Sequence, residues 1–184
     1  MVTDTREKIV EATVRVLARD GFHGLSFAKV VQEGGLSSTR LVSYHFGTRE
    51  ALLQQTFAHV LTRAAAFMGP RIAEHESIRG KIRAYITSNL QFLTEDLAYA
   101  RAAVELAGNL TNPNGDQGLS LLEAGFRTGQ ENGELRQFDV HAMAVALRGA
   151  IDGTVLDIVA GSADPSGAAD ELAELFDRAI RASA

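Results

Sequence analysis

An all-α chain, with a small three-helix head followed by a larger helical body, is what this sequence predicts. Apolar residues recur at helical spacing in one segment after another, and no stretch alternates apolar and polar residues with the period of a strand. Capping residues stand at the starts of the early segments, and glycine or proline stands at several ends. The 184 residues, 46% of them hydrophobic, can bury a substantial core. They divide into a head at residues 1–47 and a body at residues 48–184.

The first helix begins near Asp4, whose carboxylate can cap it while Glu7 reaches back. Ile9, Ala12, Thr13, Val16 and Leu17 form its buried stripe, and Glu11 and Arg15 pair four apart on the outer face. Gly21 suits the left-handed position after a helix end, with Phe22 folding back as its apolar contact. Ser26 caps a second helix, Ser37 or Ser38 a third, and Thr48 a fourth. Phe22, Phe27, Val30, Leu36, Leu41 and Phe46 make the core of the head. The fourth helix runs from Arg49 toward Phe67, where Gly69-Pro70 ends or kinks it. Further helices are expected at 78–94, 98–106 and 119–132, the last ended by Gly133, with a loop at 108–118. The final pair is expected at 140–160 and 168–182, separated by the turn-rich GSADPSG.

No cysteine is present, so no disulfide framework, thiolate metal site or cysteine nucleophile is available. The start, MVTDTREK, lacks the apolar core of a signal peptide, and charged residues interrupt every later apolar run. A soluble, cytoplasmic protein with no membrane partner is expected. The net charge of −5 divides into +1 for residues 1–60 and −6 for the remainder. That asymmetry permits nucleic-acid binding by a local patch and would never suggest it alone.

The stretch GGLSSTRLVSYHFGTRE, residues 34–50, carries the most information. On a helical wheel Leu41, Val42, His45 and Phe46 share one arc, and Thr39, Arg40, Ser43 and Tyr44 share the other. The first arc can pack on a core. The second offers a guanidinium, hydroxyls and a phenol, which hydrogen-bond to base edges and phosphates. A helix, a Gly34-Gly35 turn and a second helix with a polar face make the layout of a helix-turn-helix.

These residues resemble the tetracycline-repressor (TetR) family of bacterial transcription regulators. The matching elements are REKIVEATVRVLARDGF, LSFAKVVQEGGLS and SYHFGTREALL, in the family's order over residues 5–57. Many members have one residue fewer between the glycine matching Gly35 and the phenylalanine matching Phe46, which leaves the register of Ser38, Thr39 and Arg40 against bases open. The resemblance implies a homodimer on double-stranded, palindromic operator DNA, read by Ser37, Ser38, Thr39, Arg40 and Ser43. Arg40 can pair with guanine or grip a phosphate, and Tyr44 holds the backbone. Lys29 and Ser26 add phosphate contacts or are exposed helix residues. His45 points inward on the wheel as a core histidine, whereas the resemblance implies a phosphate contact. Arg49 follows the cap Thr48 at a helix start, where the dipole and open N–H groups favour a phosphate.

In the last two helices Leu147, Ile151, Val155 and Ile158 line one face, and Leu172, Phe176 and Ile180 line the other. Gly153, four residues after Gly149, suits a close neighbour, since a helical glycine costs roughly 1 kcal/mol against alanine. Periodicity alone fits either an intramolecular core or a dimer interface. The resemblance implies the dimer. Phe67, Tyr85, Asn89, Phe92, Tyr99, Glu105, Phe126 and Arg148 are plain core or, as the resemblance implies, the lining of a site for a mainly apolar small molecule.

Catalysis is poorly supported: five histidines show no metal-ligand spacing, and no glycine loop follows a strand. Neither cofactor nor metal is expected. The reading is a ligand-responsive repressor, with the two recognition helices about 34–36 Å apart in the DNA-binding state. Rival readings are an activator of the same fold, a helical ligand- or protein-sensing module without operator function, and a small all-α enzyme.

Overall fold

The computed structural model describes residues 4–110, 117–162 and 165–182. Among them the elements are α1 (Thr5–Gly24), α2 (Phe27–Gly34), α3 (Thr39–Phe46), α4 (Arg49–Ala73), α5 (Ile78–Glu95), α6 (Leu97–Asn109), α7 (Gln117–Glu131), α8 (Val140–Val159) and α9 (Pro165–Ile180). The all-α expectation holds. The sole β-type pairing in the described residues is an isolated antiparallel bridge between Leu135 and Arg181. Most of the expected loop at 108–118 and part of the GSADPSG turn lie outside the described residues.

The chain forms two compact units: Met1–Arg63 with Asp96–Thr111, and Ala64–Glu95 with Asn112–Ala184. The first unit thus extends past residue 47 into α4 and takes in α6. In the first unit α1 packs against both α2 and α6. Its buried set, Ile9, Val10, Ala12, Thr13, Val14, Val16 and Leu17, covers an arc too wide for one neighbour. Tyr99, Ala100, Ala102 and Leu106 of α6 are buried in the same unit.

Several local expectations change. Asp4 does cap α1, but by accepting the Arg6 N–H at 3.3 Å. Glu11 and Arg15 do not pair; Glu11 accepts from Tyr99 at 2.6 Å and Arg15 binds Glu33 at 2.9 Å. Gly21 has φ 72° and ψ 175°, so α1 kinks there and resumes to Gly24. The kink turns out the Phe22 N–H, which Glu105 accepts at 2.7 Å. In α4, Pro70 neither ends nor breaks the helix, which continues to Ala73. Pro70 has no N–H to give the Ala66 carbonyl one turn earlier, and the helix continues without that bond. Thr48 caps α4 as expected, taking the Ala51 N–H at 3.1 Å.

In the second unit α5 packs against α7, α8 and α9, and α8 packs against α7 and α9. This arrangement encloses most of the residues expected at a dimer interface. Leu147, Ile151, Val155, Ile158, Phe176 and Ile180 are buried within the single chain, and Leu172 is half-buried. They form its core because α5 and α7 already cover them. Gly153 faces open space, with no atom within 4 Å of the position a Cβ would take. The other face of α8 carries Val145, Gly149, Gly153 and Leu156 at helical spacing, and α9 carries Leu175. Leu156 is 52% exposed and Leu175 is 59% exposed.

One close approach is required by the second unit. A Cβ on Gly129 would lie 2.5 Å from the Leu135 side chain and 3.0 Å from Ile78 Cγ2. Leu135 is itself buried, its N–H bonded to the Gly129 carbonyl at 2.8 Å. Gly129→Ala is therefore expected to lower unfolding free energy by about 1–3 kcal/mol through overpacking. Gly125→Ala, four residues earlier with nothing near its Cβ position, is expected to be neutral or stabilising. Urea denaturation of the two variants checks the contrast.

Candidate nucleic-acid interface

Short-range backbone geometry builds the head's polar surface. Ser26 Oγ caps α2 by accepting the Lys29 N–H at 3.3 Å. Gly35 ends α2 in the left-handed region at φ 58° and ψ 36°, and the Leu36 N–H returns to the Val31 carbonyl at 3.0 Å. The chain then enters α3, whose Val42 and Phe46 are buried. Thr39, Arg40, Ser43 and Tyr44 are all exposed on the opposite side, Tyr44 to 83%. Ser43 donates to the Thr39 carbonyl at 3.2 Å, which leaves its oxygen facing outward as an acceptor. Ser37 and Ser38 are also exposed. Ser38 occupies the N-cap position of α3, but its side chain makes no capping bond.

His45 lies between its two readings, half-buried and edge-on to Tyr44 at 5.3 Å between ring centres. The head core is likewise shared: Val30 and Phe46 are buried, while Phe22, Phe27, Leu36 and Leu41 are half-buried.

Two residues expected at phosphates have partners within the chain. Arg49 turns inward, with Nε donating to the Leu25 carbonyl at 3.3 Å, Nη2 donating to the Phe22 carbonyl, and its guanidinium over the Phe22 ring at 4.8 Å. It fastens the end of α1 to the start of α4, supplementing the Leu25 N–H that the Phe22 carbonyl also accepts. Lys29 Nζ pairs with Asp20 at 3.0 Å. Asp20 also meets Arg19 at 3.0 Å, and Glu33 meets Arg19 at 2.7 Å. The hydrogen bond from Arg19, seconded by Lys29, holds the Asp20 carboxyl at about 2, and Arg19 with Arg15 likewise lowers that of Glu33. Both acids therefore stay ionised at neutral pH, and Lys29 keeps its partner.

The residues expected to line a body site are dispersed. Tyr99 and Glu105 belong to the first unit. Glu105 meets the Phe22 N–H, so the polar atom that seemed to need a ligand is satisfied by the chain. The Tyr99 hydroxyl donates to Glu11 at 2.6 Å, accepts from Arg63 at 2.8 Å and lies 3.0 Å from His59 Nε2. Burial, followed by the bond to Glu11, pushes its ionisation up, so the phenol stays neutral. In the second unit Phe126 is fully buried and edge-on to Phe138, a plain core contact. Arg148 pairs with Asp152 one turn on at 3.2 Å. Tyr85 and Asn89 are half-buried on α5. Phe67 and Phe92 do meet, at 5.6 Å between ring centres.

A cleft of about 310 Å³ lies elsewhere in the second unit, between the end of α4 and one face of α5. Arg71, Glu74 and His75 line one side, and Arg83, Ala84, Thr87, Ser88 and Gln91 line the other. Its sequence signal was the run of small and polar residues at 84, 87, 88 and 91, helical spacing with no bulky apolar member. Among the described residues no group of histidine and carboxylate side chains could hold a metal, and no helix is long and apolar enough to cross a membrane.

Residues 9–56, from α1 into α4, match the profile of the bacterial regulatory proteins of the tetR family. Over 85 residues, 46% of the chain, the sequence is 34% identical to the HTH-type transcriptional regulator BetI of Burkholderia ambifaria. That match spans 43% of the relative's length. The fold is similar to FadR of Bacillus subtilis, solved in complex with stearoyl-CoA, with a TM-score of 0.81 at 22% identity. That likeness covers 95% of this chain and 98% of FadR. A TetR-family regulator from Rhodococcus sp. gives 0.79 at 22% identity, covering 94% and 96% of the two chains. Residues 9–56 carry the sequence signature of the tetR family of bacterial regulatory proteins, and the whole chain is similar in fold to solved structures of that family.

Proposed function

We propose that this protein is a homodimeric, cytoplasmic transcription regulator that binds a palindromic operator and releases it when a small molecule occupies the body. The observation that carries this reading is the exposed face of α3, where Thr39, Arg40, Ser43 and Tyr44 stand together on a glycine-turn frame. Its chemistry is that of recognition: Arg40 can read guanine or hold phosphate, hydroxyls serve base edges, and the Tyr44 phenol reaches the backbone. Nothing in this role requires catalysis. Protection of a short palindromic DNA from nuclease, in a sequence-specific pattern, tests the reading; uniform or absent protection overturns it.

Repression is the simpler action, since a dimer seated on an operator occludes it. The effector shifts the population between two arrangements of the paired heads, and only through its difference in affinity for the two. α4 runs without interruption from one compact unit into the other, and α6 is bonded to α1 through Tyr99–Glu11 and Glu105–Phe22. Those elements supply the coupling. The Phe67–Phe92 pair supports an effector that is largely apolar.

Three outcomes are expected on DNA. Tyr44→Ala weakens binding to every sequence alike and flattens the salt dependence. Arg40→Ala relaxes preference at particular base pairs, by about 1–3 kcal/mol where the contact is bidentate. Arg49→Ala loses DNA affinity together with thermal stability of the head, because its bonds are internal. Gel shifts at several salt concentrations, paired with thermal melts, separate the three.

For the dimer, the exposed face of α8 and Leu175 of α9 are the surface offered to a second copy. Leu156→Asp and Leu175→Asp are expected to yield folded monomers. Ile158→Asp is expected instead to unfold the body, because it buries an unpaired charge in the single-chain core. Sedimentation and circular dichroism of the three variants decide it; unaltered dimers from both surface variants would place the interface elsewhere.

A further inference from the structure

The cleft between the end of α4 and α5 has an unusual charge balance. Two guanidiniums, Arg71 and Arg83, and the His75 imidazole line it against one carboxylate, Glu74. The acid nearest Arg83 is Glu174 of α9 at 3.8 Å, beyond hydrogen-bond reach, and Glu174 is already held by Arg178 at 2.8 Å. Arg71 gives one N–H to the Phe67 carbonyl at 2.6 Å and lies over the Phe67 ring at 3.6 Å. That stacking fixes the plane of the guanidinium and leaves it further donors.

The remaining lining makes room. Ala84 and Ser88, one turn apart on α5, are buried and present no bulky side chain. Ser88 donates to the Ala84 carbonyl at 2.5 Å and Thr87 to the Arg83 carbonyl at 3.1 Å, so the cleft's cationic donors are the arginines. At the rim, the absence of a side chain on Gly80 lets His75 Nδ1 come within 3.0 Å of where a Cβ would be. The volume, about 310 Å³, suits a small molecule. Phe67, under Arg71, is half-buried and packs on the buried Phe92, so one partly open aromatic ring adjoins the cationic wall.

We propose that this cleft seats the anionic head of an amphiphilic small molecule, a carboxylate or phosphate joined to an apolar tail. Arg71 and Arg83 hold the head through charge-assisted hydrogen bonds, and the open part of the Phe67 ring receives the start of the tail. The inference deepens the effector reading and rests on it for its consequence at the operator, while binding itself is read without DNA.

Calorimetry on the full chain tests it with decanoate, decyl phosphate, inorganic phosphate and decanol, all below micelle formation. Saturable binding of decanoate or decyl phosphate is expected, and whichever binds more tightly names the head group. Decanol and inorganic phosphate are expected to bind about tenfold or more weakly. Arg83→Gln and Arg71→Gln should each weaken the anionic amphiphile about tenfold or more and leave decanol unaltered. Arg83 is exposed, so Arg83→Gln keeps the test valid should Arg71→Gln disturb the Phe67 stack. No saturable binding of either amphiphile, or equal affinity in wild type and Arg83→Gln, overturns the site. Inorganic phosphate binding as tightly as decyl phosphate overturns the amphiphile. A gel shift with operator is read separately: tight amphiphile binding without DNA release leaves the site standing and removes its role as effector site.

Discussion

The width of the apolar arc on α1 constrains much else in the first unit. Seven buried residues, among them Ile9, Val14 and Leu17, cannot be covered by the short α2 alone. The chain meets the demand by returning α6 from much later in the sequence to the uncovered side. Burial of this kind is non-directional, and it leaves polar backbone at the α1 kink to be paired by specific side chains. Glu105 takes the Phe22 N–H, and Arg49 takes the Phe22 and Leu25 carbonyls. An acid on α6 and a base on α4 thus hold the same short segment.

Electrostatics in the head works by local placement and hardly at all by net charge. Asp20 and Glu33 engage Arg15, Arg19 and Lys29 in pairs at 2.7 to 3.0 Å on α1 and α2. Exposed pairs of this sort add little stability, yet they keep these cations from acting as an indiscriminate anionic-polymer patch. What α3 presents is one guanidinium among hydroxyls and a phenol. A surface of that composition relies on contact geometry more than on long-range attraction, in keeping with an acidic chain.

Reading the sequence alone succeeded where the information is local. The cap at Ser26, the left-handed Gly35 and the two arcs of α3 are each decided within a few residues, so spacing and residue type suffice. It failed wherever a side chain had more than one possible partner. Glu11 and Arg15 are spaced for a pair, yet each found a better one on another helix. Arg49 stands at a helix start, and its bonds to two carbonyls of its own chain could not be read from its spacing.

The same division holds across the molecule. The helical period, the caps and the polar face of α3 are properties of short segments, and the sequence by itself determined them. Which apolar face of α8 is closed inside the chain and which remains exposed was decided only by tertiary packing. Leu147, Ile151, Val155 and Ile158 were the richer stripe, and for that reason the chain's own α5 and α7 took them. The poorer face, with Val145, Gly149, Gly153 and Leu156, stayed outside. Periodicity shows that a face will be buried but carries no information about which surface buries it, because hydrophobic burial rewards area and not identity.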